Sequence, residues 1–290
     1  MQSYLVRFEC RSPYLTPWRS CTVWGRLSWI IASGAVAGWN IQDWIAFHNE
    51  GEHLLIVGDG LPYDAIPVPA VFLANASGPH KRPKTLAWPQ WLELCRTGAW
   101  PTDSSRPHLP HEVQRQHVRI SRATGTALEG QLRTERGQWP SEGIAMAVLV
   151  DDALGADGFR KMLDVLCAEG WGYGRSYGYG HIELRSIEPL SRPAPTGYVA
   201  TMGHCHPTDN LPQQGWWRWS GVPVLAHDPA TRRAILPHRF TTMLAPGATF
   251  ATDQIYLGQT LETEIGPIRN YLHAGIVPTW PVHYSEATDA

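Results

Sequence analysis

Residues 168–184, AEGWGYGRSYGYGHIEL, place Gly172, Gly174, Gly178 and Gly180 among Tyr173, Tyr177 and Tyr179, with Arg175 and Ser176 between them. Glycines let a backbone approach a ligand closely, and successive N–H groups then form an anion-binding concavity. An arginine beside them supplies a planar fork for phosphate, and tyrosines stack on bases at roughly 1–3 kcal/mol each. Two phosphate motifs are excluded. A P-loop needs a lysine after its glycines, and none lies near these. A dinucleotide fingerprint follows a strand and opens a helix, whereas here a helical pattern precedes the loop and a strand pattern follows it. Two readings remain open: a loop that tracks a polynucleotide, and a connector whose tyrosines pack as core or edge residues. If the loop is extended, Tyr177 and Tyr179 share a side.

Other reactive side chains are scattered. His48 sits in IAFHNEGEH, a polar stretch that reads as exposed surface. His204 and His206 are two apart, a spacing that points both imidazoles one way on a strand, where they could converge on a metal. No further ligand stands at a recognisable spacing, and His108, His111 and His117 form only a loose group, so ordinary structural histidines are expected. No metal, no cofactor and no catalytic residue is assigned. Asp151 and Asp152 are adjacent, diverge on a strand, and read as a strand-ending turn. Trp216, Trp217 and Trp219 cannot all face one side of a strand, which leaves at least one to meet a partner protein.

The elements that position these groups follow from periodicity. SYLVRFE alternates as a half-buried strand, and residues 22–36 place Val23, Leu27, Ile30, Ile31 and Gly34 on a helical face, with Thr22 or Ser20 as cap. LLIVGDGLPYDAIPVPAVFL begins as a short strand and continues into a Pro- and Gly-rich run expected to lack regular structure. Residues 74–117 read as an insertion with one helix-like piece, WPQWLELCR. HVRISRATGTALEGQLRTE reads as a hairpin turning at Ala123, Thr124 and Gly125, and GIAMAVLVDD as a sheet-centre strand. ADGFRKMLDVLCAEG is an amphipathic helix closed by Gly170, and HIELRSIEPL is a strand.

That order describes an α+β, ferredoxin-like (RRM-like) domain over residues 1–192, with an inserted hairpin and a G-rich loop. After the Pro-rich linker SRPAPTG, residues 193–290 read as a smaller β-rich domain.

Composition bounds the rest. The 290 residues are 43% hydrophobic and 17% charged, and lack the run of roughly 20 apolar residues that a membrane span needs. The first residues show no secretory signal, and five scattered cysteines do not form a disulfide framework, so reduced thiols in the cytoplasm are expected. A formal net charge of −2 excludes a free-standing nucleic-acid binder that captures its ligand by its own field, so any such contact is local. Lys81, Lys84 and Lys161 are the lysines, and the other cations are arginines.

The Gly172-x-Gly174-Arg175-Ser176-x-Gly178-x-Gly180 loop resembles the G-rich loop of the RAMP superfamily of CRISPR effector proteins. PYLTPWRSCTVWGRLSWIIA resembles the turn and first helix of the Cas-five group, and VGDGLPYDAIPVPAVF its S-D-A-F-P … L-P-x-P segment. HVRISRATGTALEGQL resembles its Arg-x-Thr-Gly hairpin, FTTMLAPGATF its E-G-S-x-F segment, and NYLHAGIVPTWPV its closing Y-G-x-x-x-x-P-V. The matches run in family order from Pro13 to Val282 and are most similar to the Csm-four family of type III-A complexes. Asp59-Gly60-Leu61-Pro62 and Ala245-Pro246-Gly247-Ala248 depart from the family pattern, which keeps other type III or type IV Cas-five subunits open.

The resemblance implies a non-catalytic subunit of a hetero-oligomeric complex in antiviral defence. Such a subunit binds the 5′ handle of the CRISPR RNA and docks the Cas-ten-type large subunit and the first backbone RAMP subunit. It also implies a second, RAMP-like domain at the C-terminal end. The RNA-binding set that it implies is the loop, Gly172 to Gly180, with Arg19 and Arg26 around the first helix and Arg119 and Arg122 in the hairpin. Two alternatives accompany it: a metal-independent RAMP endoribonuclease with His48 as general base, and a scaffold without RNA contact.

Overall fold

The alternation at the start of the chain becomes strand β1 (Gln2–Cys10), followed by helices α1 (Ser20–Ala32) and α2 (Ile41–Asn49) and strand β2 (Leu55–Val57). Short pieces come next: β3 (Leu61–Pro62), β4 (Ile66–Pro67), α3 (Ala70–Ala74), β5 (Thr85–Leu86) and α4 (Trp88–Thr97). A long hairpin, β6 (His111–Ile120) and β7 (Ala127–Trp139), leads to β8 (Ile144–Val150), α5 (Gly155–Glu169) and β9 (Ile182–Pro189). This computed structural model describes residues 1–74, 82–102, 110–209, 211–223, 226–227, 234–235, 240–265 and 268–284. His108 and Lys81 lie outside the described residues.

The main sheet has the order β2-β8-β1-β9, every neighbour antiparallel, with β3 also pairing β8. Every residue of β8 is buried because the sheet is covered on both faces, which is what its unbroken apolar run requires. Tyr4, Val6, Phe8 and Cys10 of β1 join α1 (Val23, Leu27, Ile30, Ile31) and α5 (Phe159, Met162, Leu163, Leu166) in one cluster. Each such side chain, fully buried, contributes about 1.5–3 kcal/mol. Leu5, Ala145 and Ala147 on the other face meet α4 through Trp88, Trp91 and Leu94, together with Ala200, Met202 and Trp280.

After β9 the regular elements among the described residues are strands. A second sheet has the order β11 (Gly215–Trp216), β16 (Thr249–Phe250), β10 (Val199–Thr201), β20 (Ile276–Pro281), β17 (Tyr256–Gly258). Beside it lie two-stranded ribbons, β12 (Trp219–Pro223) with β15 (Phe240–Leu244), β13 (Ala226–His227) with β14 (Ala234–Ile235), and β18 (Leu261–Ile265) with β19 (Ile268–His273). The architecture is α+β with several antiparallel sheets, as the sequence implied.

Four local expectations change. Helix α1 starts at Ser20 after an extended Arg19 with no side-chain cap, and it ends at Ala32 rather than 36. Neither Thr22 nor Ser20 caps it, because the Ser20 hydroxyl donates instead to the His204 carbonyl at 2.7 Å. The run after Val57 does hold regular pieces, since Pro62 and Pro67 end strands, where a missing N–H is tolerated. Helix α2, capped by Asn40 Oδ1 accepting from the Asp43 amide at 2.9 Å, makes His48 buried rather than exposed. The His48 ring packs on Trp24 at 4.5 Å between centroids, and its Nε2 shares a 2.5 Å hydrogen bond with Thr260 Oγ1.

Burial, aided by His53, pushes His48 down to about 4. Burial does the same to His206 and His273, each to about 4, with His206 adding to the effect on His273. Each imidazole binds its proton in the unfolded chain near pH 6.5 but stays neutral in the fold until about pH 4. These groups therefore leave stability intact above about pH 7 and erode it as pH falls from 6.5 toward 4. The urea midpoint is expected to hold steady between pH 7 and 8 and to drop clearly at pH 5; an unchanged midpoint at pH 5 would contradict their burial.

Candidate nucleic-acid interface

The loop after α5 is built on an indole. Trp171 is buried and stacks on Trp18 with 4.0 Å between ring centroids and 16° between planes. Its Nε1 donates to the Thr16 carbonyl at 2.7 Å, and its amide to the Gly180 carbonyl at 2.7 Å. Gly180 in turn donates to the Pro13 carbonyl at 2.7 Å, so the loop is pinched shut at its base against the segment that follows β1. A Cβ at Gly180 would overlap the Trp171 carbonyl oxygen outright. Gly172 and Gly174 are also confined, by Thr16 Cβ at 2.5 Å and Tyr179 Cδ2 at 2.9 Å. Gly178 differs. Its φ is +88°, yet what a Cβ there would meet is the Arg115 Nη1 at 3.7 Å. Three glycines thus exist for packing, and the fourth faces open space beside a guanidinium.

Arg175, Ser176 and Tyr177 form a single 3₁₀ turn, closed by the Tyr177 amide donating to the Gly174 carbonyl at 3.0 Å. That turn corrects the extended-loop expectation for the tyrosines. Tyr179 points inward and is 1% exposed, while Tyr173 and Tyr177 are 49% and 44% exposed on the same side. The Tyr177 hydroxyl donates to the Tyr173 oxygen at 2.8 Å, which also accepts from Arg133 Nη2 at 3.2 Å. The hydrogen bond from Tyr177, then the one from Arg133, lowers the Tyr173 phenol below its ordinary range, and donating to Tyr173 raises Tyr177. Burial raises Tyr179, with Glu135 adding to it.

The β6–β7 hairpin supplies the other wall. Its register sets Arg115 opposite Glu135 and His117 opposite Arg133, all on one face. Buried Glu135 holds Arg133 at 2.6 Å and lies 3.5 Å from His117 Nε2. Arg115 lies over the Tyr179 ring at 5.0 Å and Arg133 over Tyr173 at 5.5 Å. His117 packs against Tyr177 and Tyr179, at 5.8 and 6.2 Å between centroids. Arg115 and Arg133 were missed in the sequence and His117 was read only as part of a loose histidine group, although Arg115-x-His117-x-Arg119 is a period-two cationic stripe on one face.

The sequence-derived arginines separate. Arg119 and Arg122 are exposed near the hairpin turn, away from the glycines. Arg19, partly exposed, begins α1 just after Trp18. Arg26 pairs with Glu169 and is lowered by burial and then by Arg175, which itself donates to the Glu169 carbonyl at 3.1 Å. Glu169 therefore tethers both Arg26 and Arg175 to the end of α5. Ser176 is exposed at the turn.

The remaining candidates are structural. His204 and His206 do not converge: His204 Nδ1 meets Asp59 Oδ2 at 2.6 Å, and His206 Nε2 meets His273 Nδ1 at 2.7 Å. Burial raises the Asp59 carboxyl, but His204 and the amides of His204 and Ser20 outweigh it and hold it below the usual range. Among the described residues no group of three or more metal-ligating side chains is present. Asp151 and Asp152 lie where β8 ends in a turn, and Asp151 Oδ1 accepts from the Ala153 amide at 3.0 Å. Trp217 stacks on Phe250 at 5.6 Å, and Trp219 faces outward. No helix among the described residues is long and apolar enough to cross a membrane.

No protein-family model matches the sequence, and no curated protein matches it. Solved structures do. A chain from the crystal structure of a Csm1–Csm4 cassette in complex with pppApA matches with TM-score 0.63 and 13% identity, over 99% of this chain and 100% of that one. The same cassette in complex with cA4 gives 0.61 at 14%, over 99% and 100%. A Csm3–Csm4 subcomplex of the type III-A CRISPR-Cas interference complex gives 0.52 at 15%, over 96% and 99%. What these chains share with this one is the fold.

The two kinds of glycine separate in stability. Gly180→Ala forces the Trp171 carbonyl aside and is expected to cost at least about 3 kcal/mol. Gly178→Ala meets only Arg115 Nη1, at an ordinary contact distance of 3.7 Å, and is expected to cost about 1 kcal/mol for its positive φ. Urea unfolding of the two variants checks this; equal losses would mean that the loop is not pinched at Gly180.

Proposed function

We propose that this chain is a non-catalytic, Csm-four-like subunit of a type III CRISPR effector complex. It grips the 5′ handle of the CRISPR RNA between its G-rich loop and the β6–β7 hairpin. The observation that carries the reading is the open slot at Gly178, where the absent Cβ leaves room for a phosphate beside the Arg115 fork. Tyr173 and Tyr177 stand at its edge with their hydroxyls tied together and to Arg133, so that exposed rings are held ready for a base. Arg119 and Arg122 extend the cationic side along the hairpin, where a longer strand of RNA would run.

The fold supports the same reading. Its sheet order, fully antiparallel and with α1 and α5 in one cluster on one face, supports reading residues 1–192 as a ferredoxin-like, RRM-like domain, and the strands after Pro193 are read as a second RAMP-like domain. The solved neighbours pair Csm4 with Csm1 and with Csm3. Carried to this chain, they support docking to the Cas-ten-type large subunit and to the first backbone RAMP subunit. The near-neutral net charge of −2 suits a subunit that keeps one RNA inside an assembly rather than capturing it alone. The burial of His48 under Trp24 and its hydrogen bond with Thr260 support this reading over the endoribonuclease alternative.

Arg115→Ala and Tyr173→Ala/Tyr177→Ala are each expected to lower RNA affinity about tenfold or more at fixed salt, as one lost charge-assisted contact or base stack predicts. RNA content of the purified complex and filter binding measure it; full retention in both variants would overturn the interface. The purified chain should leave repeat RNA intact, and divalent-independent cleavage abolished by His48→Ala would establish the nuclease instead.

A further inference from the structure

The β6–β7 hairpin carries a carboxylate in a place where a grip on a polyanion has no direct use for one. Glu135 is buried on the wall that faces the G-rich loop, opposite Arg115 in the register. Its Oε1 meets Arg133 Nη2 at 2.6 Å, while its Oε2 lies 3.5 Å from His117 Nε2 and has no hydrogen-bond partner among the described residues. A buried carboxylate is costly unless it is paired, and removing its partner is strongly destabilising. Glu135 therefore holds Arg133 more firmly than an exposed carboxylate holds an exposed arginine.

Arg133 passes that constraint outward. Its Nη2 donates to the Tyr173 oxygen at 3.2 Å, and the same oxygen accepts from the Tyr177 hydroxyl at 2.8 Å. The two exposed rings stand at 80° with 6.0 Å between centroids, so a flat base laid on one meets the edge of the other. Exposed tyrosines without such a tie change rotamer freely. Each side chain that must be ordered on binding weakens a complex roughly two- to tenfold.

Glu135 thus acts on a bound RNA in two opposite ways. As a charge it repels phosphate and occupies a guanidinium, so its removal on that ground alone would tighten binding and add a cation to the salt dependence. As a constraint it fixes the tyrosine corner, so its removal would loosen binding. The short contact, the burial of the carboxylate and the engagement of both tyrosine hydroxyls favour the constraint.

We propose that Glu135 is a positioning residue of the RNA grip: through Arg133 it fixes Tyr173 and Tyr177 in the arrangement that receives a base, and RNA is held more tightly because this anion is present. The proposal deepens the RNA reading above and rests on it for the existence of the ligand.

The test measures binding of repeat-derived RNA to the full chain by filter binding at fixed salt. Glu135→Gln keeps the shape and removes the charge, and it is expected to weaken binding at least about fivefold. Tyr173→Phe/Tyr177→Phe keeps both exposed rings, removes the hydroxyl tie without touching the core, and is expected to weaken binding by a similar factor. Adding Glu135→Gln to that pair should change affinity by less than about twofold, because residues that act through one another are not additive.

A second readout needs no RNA. Hydrogen bonds from Tyr177 and then Arg133 hold the Tyr173 phenol below its ordinary range, and the charge of Glu135 opposes them. If Glu135→Gln releases Arg133, the phenol titrates higher; if it only removes a charge, the phenol titrates lower. The ¹³C resonance of Tyr173 Cζ, identified by its loss in Tyr173→Phe, follows that titration. Unchanged or tighter binding by Glu135→Gln, full additivity with the Phe pair, or a phenol that does not rise overturns the proposal and leaves the RNA reading standing. Should Glu135→Gln fail to fold, unweakened binding by the Phe pair overturns it alone. A wild-type chain that binds no repeat RNA overturns the RNA reading and the role of Glu135 with it.

Discussion

The stack of Trp18 on Trp171 is the contact on which the rest of the site depends. It brings the first residue of the loop, the segment after β1 and the start of α1 to one point, and backbone hydrogen bonds spread from there. The Trp18 carbonyl accepts from the Gly60 amide at 2.7 Å, and a Cβ on Gly60 would come within 2.7 Å of Trp18 Cβ. Asp59 is therefore fixed beside Ser20 and His204, and the C-terminal strands are held to the same point as the G-rich loop. An aromatic pair adds roughly 0.5–1.5 kcal/mol beyond the area it buries. Its larger effect is geometric, since two flat rings in contact leave little freedom to slide at interior packing density.

Carboxylates decide which arginines are available to a ligand. Glu169 holds Arg26 and Arg175, and Glu135 holds Arg133. Arg133 in turn holds Tyr173, so Glu135 positions the exposed tyrosine pair without touching it. Arg115, Arg119 and Arg122 have no carboxylate partner among the described residues; Arg115 stands beside Gly178, and the other two lie farther along the hairpin. Arginine content alone thus overstates the site, because guanidiniums engaged by a carboxylate are less available to a ligand.

Much of the element order was legible in the sequence, because it rests on periodicity and turn chemistry over a few residues. The β6–β7 turn at Ala123, Thr124 and Gly125, the apolar β8 and the Gly170 end of α5 are of this kind. What was not legible depends on partners far along the chain. His48 looks exposed in its polar neighbourhood until Thr260, from the C-terminal strands, closes over it. The loop glycines look alike in the sequence, yet Thr16 and Tyr179 confine Gly172 and Gly174, and only Arg115, from the hairpin, stands near Gly178. The tyrosine expectation failed for a local reason: a single 3₁₀ turn replaces a period of two by one of three, so Tyr179 turns inward while Tyr173 and Tyr177 stay exposed together.

The charge distribution bears on how an RNA would come to be held. A chain of net charge −2 exerts no long-range pull on a polyanion, and most of what pull there is comes from the hairpin, where Arg115, Arg119, Arg122, Arg133 and Arg136 outnumber Glu112, Glu129 and Glu135. Affinity in such a site comes from preorganisation: rings already oriented, one glycine already bare, a guanidinium already beside it. Preorganised contacts slow dissociation more than they speed capture. On this reading the RNA is retained by a loop clamped through Trp171, and its arrival depends on the neighbouring subunits that bring it there.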